Sequence, residues 1–168
     1  MEAVGNWKPV MDKHLEDVLI LADRLAMLHY HYAEKIIEKL GDQEGRALIE
    51  AAILSYGQDC GLQARDRVAL QGCQNTIDNH HLAADLPSCG WKTEVLQMNA
   101  NHKLIKTDFC PMAKTWKRYK KPLLGRYYCQ VDQAKYMSYN DSLLCTHDCN
   151  VMDGDDHCLI RIDSQLEK

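Results

Sequence analysis

Residues 91–109, WKTEVLQMNANHKLIKTDF, contain the change in sequence pattern that decides the fold. Polar and apolar side chains alternate from Trp91 to Met98 and again from His102 to Phe109, which is the two-residue period of a β-strand. Asn99-Ala100-Asn101 lies between the two segments and supplies residues that favour turns. The stretch therefore predicts two strands of a hairpin.

The segment that precedes the hairpin has helical periodicity instead. Beyond Pro9, apolar residues recur every three or four positions and form one stripe on a long amphipathic helix. The stripe consists of Val18, Leu21, Leu25, Leu28, Tyr32, Ile36 and Leu40. Gly41 is a typical helix stop, and Asp42 can cap the helix that follows. A long first helix is therefore predicted to end at Gly41.

The chain between Asp42 and Pro87 is predicted to contain three further helices. Gly57 and Gly61 are expected to break or bend the second helix, because glycine weakens a helix interior. A third helix then ends near Cys73, and a short fourth helix covers residues 76–85.

The C-terminal third continues with helices and a second hairpin. Cys110-Pro111 ends the second strand, and helices are predicted over residues 112–121 and 124–139. Residues 142–151 and 156–163 are predicted to form a closing hairpin.

This order of elements predicts an α+β fold. N-terminal helices would pack on a four-stranded antiparallel sheet, in the order helices, then ββααββ. We expect a single domain over residues 1–168, with a helical layer at about 9–86 and a sheet-containing layer at about 90–164. The change from helical to strand periodicity near Pro87 is interpreted as a change of layer and not as a domain boundary.

Composition limits the classes of function. The net charge of −4 gives no general attraction to nucleic acid or to anionic membranes. No apolar run of signal-peptide or membrane-span length is visible, so a cytoplasmic location is expected. In that reducing compartment the eight Cys are expected to be free thiols rather than structural disulfides.

Six of the eight cysteines follow Ser88, in the part predicted to hold the sheet: Cys89, Cys110, Cys129, Cys145, Cys149 and Cys158. Cys129 and Asp132 are three residues apart, which would place thiol and carboxylate on one helical face. A thiolate is a strong nucleophile, and a carboxylate can accept a proton or orient an electrophile. Because a carboxylate raises the pKa of a nearby thiol, a cationic partner is also needed, and His147 and His157 flank the region.

The same cysteines are open to other interpretations. A free Cys is often a small apolar core residue. Cys145 and Cys149 lack the paired Cys-x2-Cys spacing of common zinc sites. No metal or other cofactor is therefore predicted, although a metal site that includes Cys145, Cys149 and His147 stays open.

Three motifs in the last third of the chain carry a family resemblance. They are FCPMAKTW at 109–116, YYCQVDQAKYMSYN at 127–140 and VMDGDDHCLIRI at 151–162. In this order they resemble the L-2-amino-thiazoline-4-carboxylic acid hydrolase family. The likeness extends loosely to the long N-terminal helix and to the segment Tyr56-Gly57-x3-Gly61. The matching residues are Cys110, Cys129, Asp132, Gly154 and Cys158.

The resemblance implies a hydrolase that opens a thiazoline ring, a cyclic amidine-like C=N–S unit, to give an N-carbamoyl amino acid. The candidate catalytic residues are Cys110, Cys129, Asp132, Cys158 and His157. The candidate substrate-binding residues are Arg126, Tyr128, Gly154 and Asp155. Either Cys110 or Cys129 would be the nucleophile, and Asp132 would be the base or the partner of an amidinium group.

Two further expectations follow from that assignment. The carboxylate of an amino-acid substrate would need a cation such as Arg126, Lys120 or Lys121. Replacing Asp132 by Asn is expected to remove turnover and to leave the fold intact.

Two other functions compete with the hydrolase. The order of helices and sheet is also similar to small ligand-binding domains of the vinyl-reductase, trafficking and nitric-oxide-sensing superfamily, which implies a binding module without chemistry. A Cys-ligated metal or iron–sulfur protein is the third alternative. The expected partner is a small-molecule substrate, with no nucleic acid and no membrane, and long amphipathic helices are compatible with a homodimer.

Overall fold

The computed structural model describes residues 12–83, 86–87 and 89–165. Long helices come first, and a sheet interrupted by three short helices follows. The elements in chain order are α1 Lys13–Leu40, α2 Asp42–Leu70, a 3-10 helix Asp78–Ala83, β1 Lys92–Asn99, β2 His102–Phe109, α3 Pro111–Arg118, α4 Pro122–Tyr128, α5 Val131–Tyr139, β3 Leu143–Cys149 and β4 Cys158–Ser164.

The sheet has four antiparallel strands in the order β1-β2-β4-β3. The two hairpins therefore join through β2 and β4, where Lys103 lies opposite Ile162 and Thr107 opposite Cys158. This topology confirms the predicted α+β class, with helices followed by a four-stranded antiparallel sheet. It also brings the end of β2, and with it Cys110, next to the start of β4.

The buried face of α1 differs from the predicted one. Its core-facing residues are mostly small, namely Val18, Ala22, Ala26, Tyr30 and Ala33. Most of the predicted apolar stripe is exposed instead, including Leu21 at 69%, Leu28 at 54% and Tyr32 at 65%. The predicted end of the helix was right, because α1 ends at Leu40 and Gly41 follows with a positive φ of 80°. Pro9, where the prediction began, lies outside the described residues.

Helix α2 is continuous from Asp42 to Leu70, so the prediction of a break at Gly57 and Gly61 was wrong. Both glycines are buried and face α5. A Cβ at Gly57 would lie 2.6 Å from the carbonyl oxygen of Val131, and a Cβ at Gly61 would overlap that of Lys135. The glycines therefore let α5 approach α2 closely, which sets the position of the residues that α5 carries.

Replacing Gly61 by Ala is expected to lower the free energy of unfolding by roughly 2 kcal/mol. Overpacking a tight contact costs about 1–3 kcal/mol. It should outweigh the gain of about 1 kcal/mol that Ala brings to a helix interior. Urea denaturation measures the change, with Ser55→Ala on the exposed side of α2 as the matched control. A Gly61→Ala protein as stable as the wild type would contradict the close-packing role.

The helix predicted over residues 124–139 is two helices. Helix α4 ends at Tyr128 and α5 begins at Val131, with Cys129 and Gln130 in a turn between them. The amide of Asp132 still donates to the carbonyl of Cys129 across 3.4 Å. Cys129 and Asp132 are therefore held together by a turn and not by one continuous helical face.

Smaller differences concern helix ends and short helices. Asp42 is the first residue of α2 and makes no capping contact, because Gly41 occupies the capping position. The predicted helix at 76–85 is a 3-10 helix over Asp78–Ala83. Among the described segments, no helix has both the length and the apolar character that a bilayer crossing needs.

Two groups of buried side chains form the core, and the candidate site lies between them. The first group joins α1, α2, α3 and α4 and includes Ala26, Ile53 and Trp116. The second joins α2, α5 and the sheet and includes Val68, Tyr139 and Ile162. Helix α5 therefore borders both groups, through Val131 and Tyr136.

Candidate functional site

A cavity with two lobes lies between the helices and the sheet. The helical lobe, of about 310 Å³, lies between α1, α2, α3 and the α4–α5 turn. The sheet lobe, of about 280 Å³, lies between α5 and the inner face of the sheet. The two lobes share a wall, formed by Leu86, Pro87, Trp91, Cys110, Cys129, Asp132 and Lys135. Such volumes are in the range of small-molecule sites.

Cys110 lies at the N-terminal end of α3, directly after β2. Helix α3 is fixed to α1 because the indole N–H of Trp116 donates to the carbonyl of Ala26 over 3.0 Å. Burial raises the pKa of the Cys110 thiol, whereas the backbone N–H groups of Ala113 and Met112 and the side chain of Trp91 oppose that rise. Helix N-termini favour anions, so a thiolate formed at Cys110 has a stabilising environment.

Cys129 and Cys158 are thiols of a different character. Burial raises the pKa of Cys129 to about 12, although the Asn150 side chain opposes the rise. The Cys129 thiol donates to the carbonyl of Gly125 over 3.7 Å, which favours the protonated form. Burial also raises the pKa of Cys158, whose sulfur accepts the N–H of Val151 over 3.4 Å. Of these three sulfurs, only Cys110 sits at a helix N-terminus.

Asp132 forms two ion-pair contacts at the shared wall. Its Oδ1 lies 3.1 Å from Nζ of Lys135, and its Oδ2 lies 3.4 Å from Nε2 of His147. The side chains of Lys135 and His147 are 8% and 3% exposed, and that of Asp132 is 22% exposed. Lys135 comes from the next turn of α5 and His147 from β3, so helix and sheet meet at this carboxylate.

The pairing determines which group can act as a base. Burial alone would raise the pKa of Asp132, but Lys135 and His147 outweigh it and hold that pKa well below its usual range. An ionised carboxylate with so low a pKa is a poor proton acceptor. Its contact with Nε2 of His147 instead favours the tautomer in which Nδ1 is the acceptor. Within the part of the chain that the structure describes, Nδ1 is buried without a hydrogen-bond partner.

Asn150 completes the sheet lobe from the loop after β3. It is 1% exposed, and its Oδ1 accepts the N–H of Met152 over 2.9 Å. Its own N–H donates to the Asp155 carboxylate over 2.7 Å, which fixes the turn. Its Nδ2 is buried, and its side chain opposes the rise in the pKa of the Cys129 thiol. Asn150 is therefore a donor held beside the Cys129 thiol.

The structure brings four of the predicted catalytic residues to one lobe and leaves one outside it. Cys110, Cys129, Asp132 and Cys158 line the sheet lobe. His157 lines neither lobe, and its carbonyl accepts the Cys149 thiol over 3.4 Å.

The predicted substrate-binding residues are mostly elsewhere. Tyr128 lines the helical lobe. Arg126 lines neither lobe and pairs with Asp153 at 2.9 Å. Gly154 and Asp155 lie in the exposed turn before β4, where Asp155 supports Asn150. Neither Gly154 nor Asp155 lines either lobe, so their contact with a substrate stays a prediction.

The metal alternative considered from the sequence involves Cys145, Cys149 and His147. No group of three His, Cys, Asp or Glu side chains within the described ranges is arranged to hold a metal ion. Cys145 and Cys149 lie on β3 on either side of His147, and Cys145 is buried in the second core group. The eight cysteines are free thiols.

The sequence matches the family model for L-2-amino-thiazoline-4-carboxylic acid hydrolase over residues 22–162. The chain belongs to this family. The match covers most of the chain, from α1 to β4, and so extends well beyond the three C-terminal motifs. No curated protein matches the sequence at a significant level.

One solved structure shows that the hydrolase-family chain shares its fold with a different class of protein. It is a trafficking protein particle complex subunit 3 from Naegleria fowleri, covalently bound to palmitic acid. The TM-score is 0.54 at 16% sequence identity, with 86% of this chain and 95% of that chain covered. At this identity the likeness concerns the fold alone.

Lys135 and Asn150 have no role predicted from the sequence, and His147 was predicted only as a cationic partner or a metal ligand. Lys135 lies three residues after Asp132, a spacing that indicates contact on a helix and could have been recognised. His147 was considered as a cation or a metal ligand, because its contact with Asp132 depends on how the sheet packs against α5. Asn150 has no sequence signal of its own.

Alkylation of Cys110 by iodoacetamide is expected to accelerate about tenfold per pH unit between pH 7 and 9. The thiolate is the reactive form, and a raised thiol pKa keeps its fraction growing throughout that range. Peptide mass spectrometry after timed quenching measures the rate at this residue. A rate that is already constant below pH 8 would contradict the raised pKa.

Proposed function

We propose that this protein hydrolyses a small cyclic amidine or imine at its C=N bond, by ring opening of a thiazoline type. The observation that carries the proposal is the position of Cys110 at a helix N-terminus, in the same lobe as the Asp132–His147 pair. This arrangement supplies a nucleophile, a base and a group that orients the base. Membership of the family supports the reaction class.

The first step would form a covalent intermediate. His147 takes the Cys110 proton through Nδ1, directly or through one water, and the thiolate adds to the ring carbon between nitrogen and sulfur. The π electrons of C=N move to the ring nitrogen, which receives the proton from His147. The ring C–S bond then breaks as the nitrogen lone pair restores C=N. The proton on nitrogen passes through His147 to the substrate sulfur, which leaves as a thiol, and the carbon remains bound to Cys110 as a thioimidate.

The second step would release the product. A water adds to the thioimidate carbon, and one of its protons passes through His147 to the nitrogen, which receives the π electrons of C=N. The Cys110–carbon bond then breaks as the hydroxyl oxygen forms C=O, and the hydroxyl proton passes through His147 to the departing sulfur. One water is consumed overall, no electrons are gained or lost, and the product carries a C=O bond. A 2-amino substituent on the ring would give an N-carbamoyl product.

Each neighbouring residue would have a positioning role in these steps. The Asp132 carboxylate fixes the His147 tautomer and stabilises the imidazolium that forms in each step. Lys135 keeps Asp132 ionised. The Nδ2 group of Asn150 can donate to the substrate or to a thiolate in the sheet lobe.

The test is turnover of L-2-amino-thiazoline-4-carboxylate and 2-methyl-thiazoline in H2(18)O. Ring opening with one 18O in the product, detected by mass spectrometry, is the expected result. His147→Ala should lower kcat by roughly 10²–10⁴-fold, the usual contribution of a general base. His157→Ala, at a histidine outside both lobes, should leave kcat within about twofold. Equal losses in the two variants would contradict the role of His147.

A second candidate function is retention of an apolar ligand without chemistry. The apolar side chains of the helical lobe favour it, as does the shared fold with a subunit whose structure contains palmitic acid. Native mass spectrometry of freshly purified protein would detect such a ligand. A stoichiometric bound lipid together with no turnover of either thiazoline would favour this function over hydrolysis.

A further inference from the structure

The two ends of the cavity differ in polarity. Away from the shared wall, the helical lobe is lined by apolar side chains such as Val18, Leu25, Met112 and Val131. Trp116 contributes its ring while its N–H is occupied by Ala26. The charged side chains of this lobe, Asp132 and Lys135, both belong to the shared wall. A ligand that fills the lobe would therefore have a polar end and an apolar end.

Among the described residues that line the two lobes, the Lys or Arg side chain that could bind a substrate carboxylate already contacts Asp132. Lys135 is the one Lys or Arg among the described residues that line either lobe, and it pairs with Asp132. Arg126 and Lys121, both expected to bind that carboxylate, contact Asp153 and Glu34 instead. Lys120 also lines neither lobe. The three cations predicted to bind that carboxylate therefore line neither lobe.

We propose that the substrate is a cyclic amidine or imine with an apolar chain or ring as substituent, and that this substituent occupies the helical lobe. The inference rests on the proposed function, because it places the reacting C=N at the shared wall beside Cys110 and Asp132. A water takes about 30 Å³ and a methylene is of similar size, so about 310 Å³ accommodates a chain of up to roughly ten carbons.

Chain length should then control recognition. Each methylene buried in the lobe should strengthen binding about fourfold until the lobe is full. Because the substituent is remote from the C=N, this gain is expected mainly in KM and Kd, with a smaller effect on kcat.

The experiment uses 2-methyl-, 2-propyl-, 2-pentyl- and 2-heptyl-thiazoline. Wild-type kcat/KM is measured by loss of the thiazoline, and Kd is measured by calorimetry on Cys110→Ala protein, which cannot form the thioimidate. The variant Leu25→Gln alters a residue of the helical lobe. The matched control Leu28→Gln alters an exposed leucine one turn later on α1 that does not line it.

The expected result is a Kd that falls about fourfold per methylene in Cys110→Ala protein, both alone and with Leu28→Gln added. With Leu25→Gln added, the gain in affinity from the methyl to the heptyl compound should be at least tenfold smaller. A Kd independent of chain length, or an unchanged ratio in Leu25→Gln, would overturn the inference. Tighter binding of L-2-amino-thiazoline-4-carboxylate than of the heptyl compound would also overturn it. If Kd follows chain length but no thiazoline is hydrolysed, the apolar specificity stands and the proposed hydrolysis fails.

Discussion

Asp132→Asn is expected to lower the free energy of unfolding by about 3 kcal/mol, the lower end of the cost of breaking a buried ion pair. The reason is that the Lys135 ammonium, on a side chain only 8% exposed, loses the carboxylate 3.1 Å away. This revises the sequence-based expectation that the substitution would leave the fold intact. Urea denaturation at pH 7 measures the change.

The double variant Asp132→Asn/Lys135→Met is the control for this prediction. Removing both charges should recover at least half of the lost stability, because no buried ammonium then lacks its carboxylate. A loss of unfolding free energy in the double variant that equals or exceeds the sum of the two single losses would contradict the Asp132–Lys135 ion pair.

The destabilisation should also depend on pH in one direction. The pKa of Asp132 is lowered in the folded state, so its stabilising contribution is complete above the unfolded value of about 3.9. The stability difference between wild type and Asp132→Asn should therefore shrink as pH falls below about 4. A difference that grows towards acid pH would contradict the lowered pKa.

Cys110→Ala is expected to reduce thiazoline turnover by at least about 10³-fold, because the nucleophile of the covalent route is removed. The change in stability should be small, since Ala removes one partly buried sulfur. Steady-state kinetics on 2-methyl-thiazoline measures the effect.

Cys129→Ala and Cys73→Ala are the matched controls. Cys129 lines both lobes but donates its thiol proton to Gly125, whereas Cys73 lines neither lobe. We expect a loss below about tenfold for Cys129→Ala and no loss for Cys73→Ala. A larger loss for Cys129→Ala than for Cys110→Ala would reassign the nucleophile.

The sheet was predictable because its signals are local. Alternating side chains on both sides of Asn99-Ala100-Asn101 define the first hairpin, and the turn around Gly154, with a φ of 109°, defines the second. Period-two patterns and turn residues depend on few neighbours. The pairing of β2 with β4, which creates the sheet lobe, connects distant segments and has no comparable signal.

The errors in the helical layer have one physical cause. Pattern analysis assigns large apolar residues to the core, but α1 packs through Ala22, Ala26 and Ala33, because small side chains allow close approach. Gly57 and Gly61 were expected to break a helix because glycine weakens a helix interior. In the structure they allow α5 to pack closely against α2, and this contact between distant segments is not visible in the sequence pattern.

Half of the candidate site followed from the sequence. Cys110, Cys129, Asp132 and Cys158 were selected from motifs and line one lobe. The role of His147 depends on the contact between β3 and α5, which no local spacing encodes. The low pKa of Asp132 likewise depends on Lys135 and His147 together, so its predicted role as a base could not be judged from sequence.

The most direct test of the covalent route is intact-protein mass spectrometry after rapid acid quenching during turnover of 2-methyl-thiazoline. The expected result is an adduct on the protein whose added mass equals that of the unhydrolysed substrate, and peptide digestion should locate it on Cys110. The amount of adduct should increase in His147→Ala when the second step slows more than the first. The adduct should be absent in Cys110→Ala. Sustained turnover by Cys110→Ala, or an adduct located on Cys129 or Cys158 instead, would contradict the account.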